Sequence, residues 1–578
     1  MAAPVPVAVI GTGLAGLATA YLLTDTVAAA TDGSLLDFDV HLFERNASLG
    51  MDTASLSVKD VDGTYRVDVP MRSINRGSHS RVHKLYTKLG VPLVKSDFTY
   101  SFSRLSSDPM PAGTSATLSS SLPSTPPPEY CEEMPTRTPT PACPDPADPV
   151  DDRAGPPMQT TALLYEGASG LRFPPAAIPS HLRAAPLRRQ GRYILDVVLI
   201  ALTYLYLVVL ALTYCALGLA YPPSSPAPSS RLTTRLLHRF TAHLAPRNIA
   251  SEPLLAWCAR HRLPKHFSED VLVPLMAAVA TVGIVEARTM PVGEVLQYVA
   301  STLLASHYVT HPSFGVRGIV AALVAPLPPS HIHLGVSITS LSRLAEGGGY
   351  AVHYRLADGA SATFNAAHVV LATQADQAAR LLATLAVADQ PAATLEALEA
   401  FTYVRTLVVT HTDARVLPTD ARDRRDLNLA VFARHVPGKG EGEGEGEGAE
   451  PGQGEWDEGK GHLPPSSVQT THILSPRSPG GGPPVLQTTN PLVPIAAADT
   501  LGATWFSRAF VTPRSQAAVS ALAAQQGVGG LWLAGSYLAS GIPLLEGCVT
   551  SAESVVQGLV ARQGGRVQRP GLLSVRKV

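Results

Sequence analysis

The chain has 578 residues, room for two to four domains, and its 45 basic and 46 acidic side chains leave a net charge of −1. With a pI near 7.0 it lacks the basic excess that nucleic acid demands, so no nucleic-acid partner is expected. Five scattered cysteines (Cys131, Cys143, Cys215, Cys258, Cys548) form neither CxxC pairs nor metal spacings and read as reduced thiols of an intracellular protein.

The first element is an apolar strand, Val7 to Ile10, that turns through Gly11, Gly13 and Gly16 into an Ala/Leu-rich helix, "VAVIGTGLAGLATAYLL". Gly11 permits the tight turn, Gly13 admits a pyrophosphate, and Gly16 lets helix and strand pack closely. The helix N-terminus offers N–H groups and a partial positive charge to phosphates. A secretory signal is not expected here, and the strand starts too early for a transit peptide. A second strand, "FDVHLFERN", ends in Glu44, the acid that would grip ribose hydroxyls, although the connection is longer than the usual span of about 20 residues.

Two apolar-alternating runs around Asp62-Gly63 then signal a hairpin, and "HSRVHKLYTKLGV" a helix. Residues 106–159 are rich in Ser, Pro and Thr, and residues 438–461 form a Glu/Gly tract; both are expected to be disordered insertions. Between them "YILDVVLIALTYLYLVVLALTYCALGLAY", Tyr193 to Tyr221, carries one charge, Asp196. As a helix it would be about 40 Å long, enough to span a bilayer. Arg183, Arg188, Arg189 and Arg192 precede it. Residues 331–382 give a strand, a hairpin, another strand and a helix. The chain closes with a buried strand, Leu531 to Ala534, a Gly-rich connection and a helix starting near Gly547.

In this order the elements resemble the flavin-dependent amine oxidase and phytoene desaturase-like superfamily, in the branch of predicted NAD/FAD-binding proteins. The resemblance implies an α/β, two-domain FAD/NAD(P)-binding Rossmann-like fold of amine oxidase type with a mixed α+β substrate domain. It implies an FAD-binding domain in three pieces, 1–95, 315–378 and 501–578, with an insertion at 96–160. The substrate domain would comprise 161–314 and 379–500. The implied cofactor is FAD. Its pyrophosphate would rest on Gly11, Gly13, Leu14, Ala15 and Gly16, and its ribose on Glu44, with Arg45 and Gly50 along its edge. Ile338 would pass the adenine. Gly535 and Ser536 match the family's AG-acid turn, and Gly541, Glu546, Gly547 and Val549 the flavin-facing turn.

The family pattern is altered at Gly50-Met51, at Asp68-Val69-Pro70, at the "GVRG" of Gly315 to Gly318 and at Ser536. Adenine-end signals are intact, whereas isoalloxazine-end signals are eroded. Flavin carries the redox chemistry itself, and no catalytic residue is assigned. The 18 histidines show no metal grouping on a helix, and His331 and His333 on one strand read as a satisfied pair. His411 and Asp413 are a cavity-facing pair or a strand-end turn. Cys548 adjoins the flavin-facing turn and reads as a core thiol.

A single membrane crossing by Tyr193 to Tyr221 would separate Gly11 from Gly535, two halves of one implied domain. The segment is therefore re-entrant, interfacial or packed on the substrate domain. Its tyrosines favour membrane-surface attachment, with the segment along an entry path for an apolar substrate. The expected activity is FAD-dependent oxidation of an amine or an apolar lipid or isoprenoid. A non-catalytic binding protein similar to the Rab GDP-dissociation inhibitors is the alternative. The expected location is intracellular and membrane-associated, or else cytoplasmic.

Overall fold

A computed structural model describes residues 4–25, 28–30, 35–60, 63–96, 98–106, 159–167, 172–222, 249–345, 348–432, 468–475 and 483–567. Residues 107–158 and the Glu/Gly tract at 438–461, where disorder is expected, lie outside the described residues.

A parallel sheet forms the first layer. Its strands are β1 (Val5–Ile10), β2 (Phe38–Glu44), β3 (Ile332–Leu334), β4 (His368–Leu371) and β5 (Leu531–Leu533), in the spatial order β3-β2-β1-β4-β5. Val7 sits opposite both Val40 and His368, and Leu371 opposite Leu533. The first and last apolar strands of the chain thus share one sheet, as expected. Each is short and buried on both faces, which explains its near-continuous apolar character.

Helices cover one face. These are α1 (Leu14–Asp25), α2 (Ser80–Lys88), α5 (Gly315–Val324) and α6 (Leu545–Arg562), where α3 is Leu187–Ala216 and α4 is Val292–Thr302. Leu17, Leu22, Val556 and Leu559 are fully buried in their shared core. The other face packs on an antiparallel three-stranded sheet, 337–343, 350–355 and 361–366, through Phe43, Val352 and Leu371.

The second large sheet has eight strands, ordered 176–177, 159–165, 100–105, 427–432, 469–475, 485–489, 402–411 and 500–510. It is mixed: 427–432 runs parallel to 100–105, and its other pairings are antiparallel. Residues 100–105 and 159–165 pair antiparallel, so the expected insertion at 96–160 is trimmed at both ends. Alternating apolar and Ser/Thr residues had concealed these strands beside the Ser-rich stretch.

The long apolar helix α3 starts and ends earlier than the apolar run, because Gly218 at φ +74 and the Leu219 N–H to Tyr214 carbonyl bond close it. It packs on α4 through Leu207, Val208 and Ala211, which are buried. Its other side is open: Leu202, Leu205 and Val209 are 58%, 59% and 53% exposed.

The glycine turn depends on close backbone approach. A Cβ at Gly16 would lie 2.0 Å from the Gly11 carbonyl oxygen, and Gly11 itself has φ +99. Gly16→Ala is expected to lose about 3 kcal/mol of stability in urea denaturation, at the upper end of overpacking costs. A stability within about 0.5 kcal/mol of the parent would contradict this packing.

Candidate cofactor crevice

The C-terminal ends of β1, β2, β4 and β5 lie side by side along one edge of the parallel sheet, the edge whose crevice binds ligands in open α/β sheets. Gly13 is exposed at its mouth, and nothing lies within 4 Å of where its Cβ would be. The first intrahelical bond of α1 runs from the Leu17 N–H to the Gly13 carbonyl, so the N–H groups of Leu14 and Gly16 have no acceptor within the helix. This open, donor-rich helix start fits a phosphate group.

Glu44 is buried and braces the turn. Its Oε2 accepts from the Thr12 amide at 3.2 Å and from the Thr12 hydroxyl, and its Oε1 accepts from the Asn46 amide and Nδ2 at 3.0 and 2.7 Å. A carboxylate has about four lone-pair sites, so these donors fill it. A ribose diol would have to displace Asn46 or share with Thr12. Thr12 also accepts from the Gly50 N–H at 2.8 Å, and a Cβ at Gly50 would sit 2.7 Å from the Thr12 carbonyl oxygen. Gly50 is therefore required by close approach, and Arg45 points outward, exposed. Ile338 is half-buried two residues beyond Val336, whose N–H bonds the Glu44 carbonyl at 3.0 Å.

The closing turn packs against α1 and α2. Burial pushes the thiol of Cys548, in the first turn of α6, up to about 11. Glu546 accepts from the Arg81 N–H at 3.0 Å and the Val82 N–H at 3.1 Å, so it caps the N-terminus of α2. Val549 is fully buried in the core under α1. Gly547 approaches the Ser536 carbonyl too closely for a Cβ, at 2.5 Å, and the Gly535 N–H donates to Ser551 Oγ at 3.0 Å. Ser536 is half-buried, and Gly541, at φ +104, has only Glu294 Oε2 at 4.0 Å from its Cβ position.

Several residues emerge only in three dimensions. Asp68 accepts from the Val316 N–H at 3.0 and 3.1 Å and caps α5, which gives the altered Asp-Val-Pro turn a structural role. Glu294 on α4 is buried, accepts from Gln516 Nε2 at 2.6 Å and leaves Oε2 without a partner; burial raises its carboxyl above the usual range. Arg72 donates to the Met51 carbonyl at 3.1 Å. A hydroxyl at position 12 was the one sequence signal for the Thr12 brace.

The remaining candidates lie elsewhere. His411 is fully buried, accepting from the Asp413 N–H at 3.1 Å and paired with Thr488 at 2.8 Å; Asp413 binds Arg415 and the Ala496 N–H. They form a strand-end turn. His331 sits in the turn before β3 and His333 on it, and both rings stack on His41. Asp39 lies 3.3 Å from His41 and 3.4 Å from His331, at the end of the sheet away from the crevice.

Residues 9–89 match the model of the NAD(P)-binding Rossmann-like domain. The chain superposes on a putrescine oxidase bound to putrescine with a TM-score of 0.50 at 10% identity, over 97% of this chain and 100% of that one. A cyclohexylamine oxidase from Brevibacterium oxydans gives 0.49 at 11% identity, over 96% and 100%. No curated protein sequence matches the chain. The fold is the two-domain fold of amine oxidase type.

His79, His411 and His472 are each drawn down to about 4, chiefly by burial. Their folded values lie below the unfolded value of about 6.5, so the unfolded chain binds more protons in between. Stability is therefore complete above about pH 6.5 and declines as pH falls toward 4. Denaturation midpoints measured from pH 7 to 4.5 should fall steadily, with a shallower slope in His411→Asn.

Proposed function

We infer that the protein is an FAD-dependent oxidoreductase that takes a hydride from an organic substrate. The observation that carries this reading is the open glycine cradle at Gly13, set against a terminal strand-turn-helix that returns to the same sheet. Gly11, Gly13 and the N–H groups of Leu14 and Gly16 would hold the pyrophosphate, and Gly50, Ser536 and Gly541 would border the rest. Bound there, FAD supplies the two-electron acceptor. The chain's own residues bind it, orient it and exclude water; Glu294 brings a buried carboxyl to the Gly541 turn.

A second reading is a binding protein on the same fold, similar to the GDP-dissociation inhibitors. It is favoured by Glu44, whose oxygens are already filled, and by Glu546, which turns to α2. The absorption spectrum of the purified protein separates the two readings. Oxidised-flavin bands support the first, and their absence after reconstitution with FAD supports the second. Gly13→Glu should keep the fold, since its side chain meets open space, and should lose flavin completely, because an anion would occupy the phosphate position.

The reading includes attachment to a membrane surface through α3. Thirty residues at 1.5 Å each give a helix of about 45 Å with mean hydropathy 2.5 over its most apolar window. Leu207, Val208 and Ala211 hold one side against the substrate domain, so the exposed side would lie along the bilayer interface and not cross it. Exposed Arg183, Arg188, Arg189 and Arg192 suit anionic headgroups. The protein should sediment with anionic liposomes, and Leu202→Glu with Leu205→Glu should reduce the bound fraction at least about tenfold. Equal binding by the double variant would remove α3 as the contact.

A further inference from the structure

The parallel sheet carries a second polar cluster, at the end opposite the crevice. Side chains alternate along a strand, so Asp39, His41 and Phe43 share one face of β2. β3 runs beside it with Ile332 opposite Leu42 and His333 opposite Phe43, which brings His331 level with His41. The register therefore gathers one carboxylate and three imidazoles on one face, where β3 forms the edge of the sheet.

The distances suit a metal ion. Asp39 Oδ1 lies 3.3 Å from His41 Nε2 and 3.4 Å from His331 Nδ1. Ligands about 2.0–2.1 Å from a tetrahedral ion stand about 3.3–3.4 Å from one another, so two edges of such a tetrahedron are in place. One ligand atom from each of the three residues lies within 4.8 Å of the other two. All three residues are half-buried, which leaves an ion a path from solvent. Asp39 pairs with no lysine or arginine among the described residues, so its charge is available to a cation.

The cluster also has outer support. His41 Nδ1 meets His333 Nε2 at 2.9 Å; when His41 Nδ1–H donates, its lone pair lies on Nε2, beside Asp39. Phe364 packs on His41 at 4.3 Å and Phe43 on His333 at 4.6 Å, an apolar wall behind the imidazoles. The His41 and His331 rings stack at 4.1 Å, and an ion in the plane of both requires one of them to turn. A turn of His331 exchanges its 3.2 Å bond with the Val40 carbonyl for the metal.

We propose that Asp39, His41 and His331 form a zinc site, with His333 positioning His41, that clasps β3 to β2. Two imidazole nitrogens and one carboxylate oxygen favour zinc over magnesium or calcium, which take oxygen ligands. Water completes the fourth position. β3 is only three residues long, so a metal tie beside it secures an edge that few backbone bonds hold. The site lies at the far end of the sheet from the glycine turn and does not rest on the flavin reading.

The test uses the full-length, untagged protein dialysed free of metal, with zinc sulfate and magnesium sulfate as probes. Calorimetric titration should show one zinc per chain and no magnesium binding, and zinc should raise the Tm. Asp39→Asn and His331→Asn should each weaken zinc binding at least about tenfold, with the metal-free Tm unchanged. His333→Phe should weaken it about tenfold, and His333→Gln, whose carbonyl still accepts from His41, should recover part of that loss. If one ligand variant fails to fold, the other decides. A parent that binds no zinc overturns the proposal, and so does zinc bound as tightly by the folded ligand variants as by the parent. Parent-like affinity in His333→Phe removes His333 from the site.

Discussion

The crevice depends on one contact, the meeting of three backbone segments at Thr12. The glycine turn, the end of β2 and the Gly50 turn converge there, the last so closely that a Cβ at Gly50 would lie 2.7 Å from the Thr12 carbonyl oxygen. Thr12 ties them: its amide and hydroxyl hold Glu44, and its oxygen receives the Gly50 N–H. Because Glu44 is also bound by Asn46, the acid at the strand end organises the crevice before any ligand arrives. A buried carboxylate with four donors is a stable brace, whereas one with two would be a costly charge.

Much of this was legible in the sequence, for reasons that differ by element. The parallel strands were visible because burial on both faces leaves uninterrupted apolar runs bounded by glycine. Gly11 and Gly16 were legible because close approach leaves no substitute for them. Side-chain destinations were not legible. Glu546 reads as a cofactor residue from its place in a motif, yet the N-terminus of α2, distant in sequence, presents free N–H groups that claim it. Strands 100–105 and 159–165 were obscured because their Ser and Thr residues sit inside a sheet where neighbouring side chains satisfy them, as Ser101 does with Asn428 at 2.8 Å.

The apolar helix α3 shows why hydropathy cannot decide topology. By length and composition it could cross a bilayer, but chain on both sides of it belongs to one sheet, since 159–165 and 427–432 both pair with 100–105. A helix anchored by Leu207, Val208 and Ala211 while leaving Leu202 and Leu205 exposed has one face for the protein and another for an apolar neighbour. An exposed apolar face of this length on a soluble chain is a liability unless something covers it.

Charge ties the crevice to the rest of the fold. Glu44, Asp68 and Glu546, three acids around the sheet's C-terminal edge, are all engaged by backbone N–H groups, two of them at helix starts. Each such bond neutralises an acid against a helix dipole or a turn. The fold therefore uses these acids to hold its turns and helix starts in place. A ligand space with donor N–H groups at one end favours negative charge there.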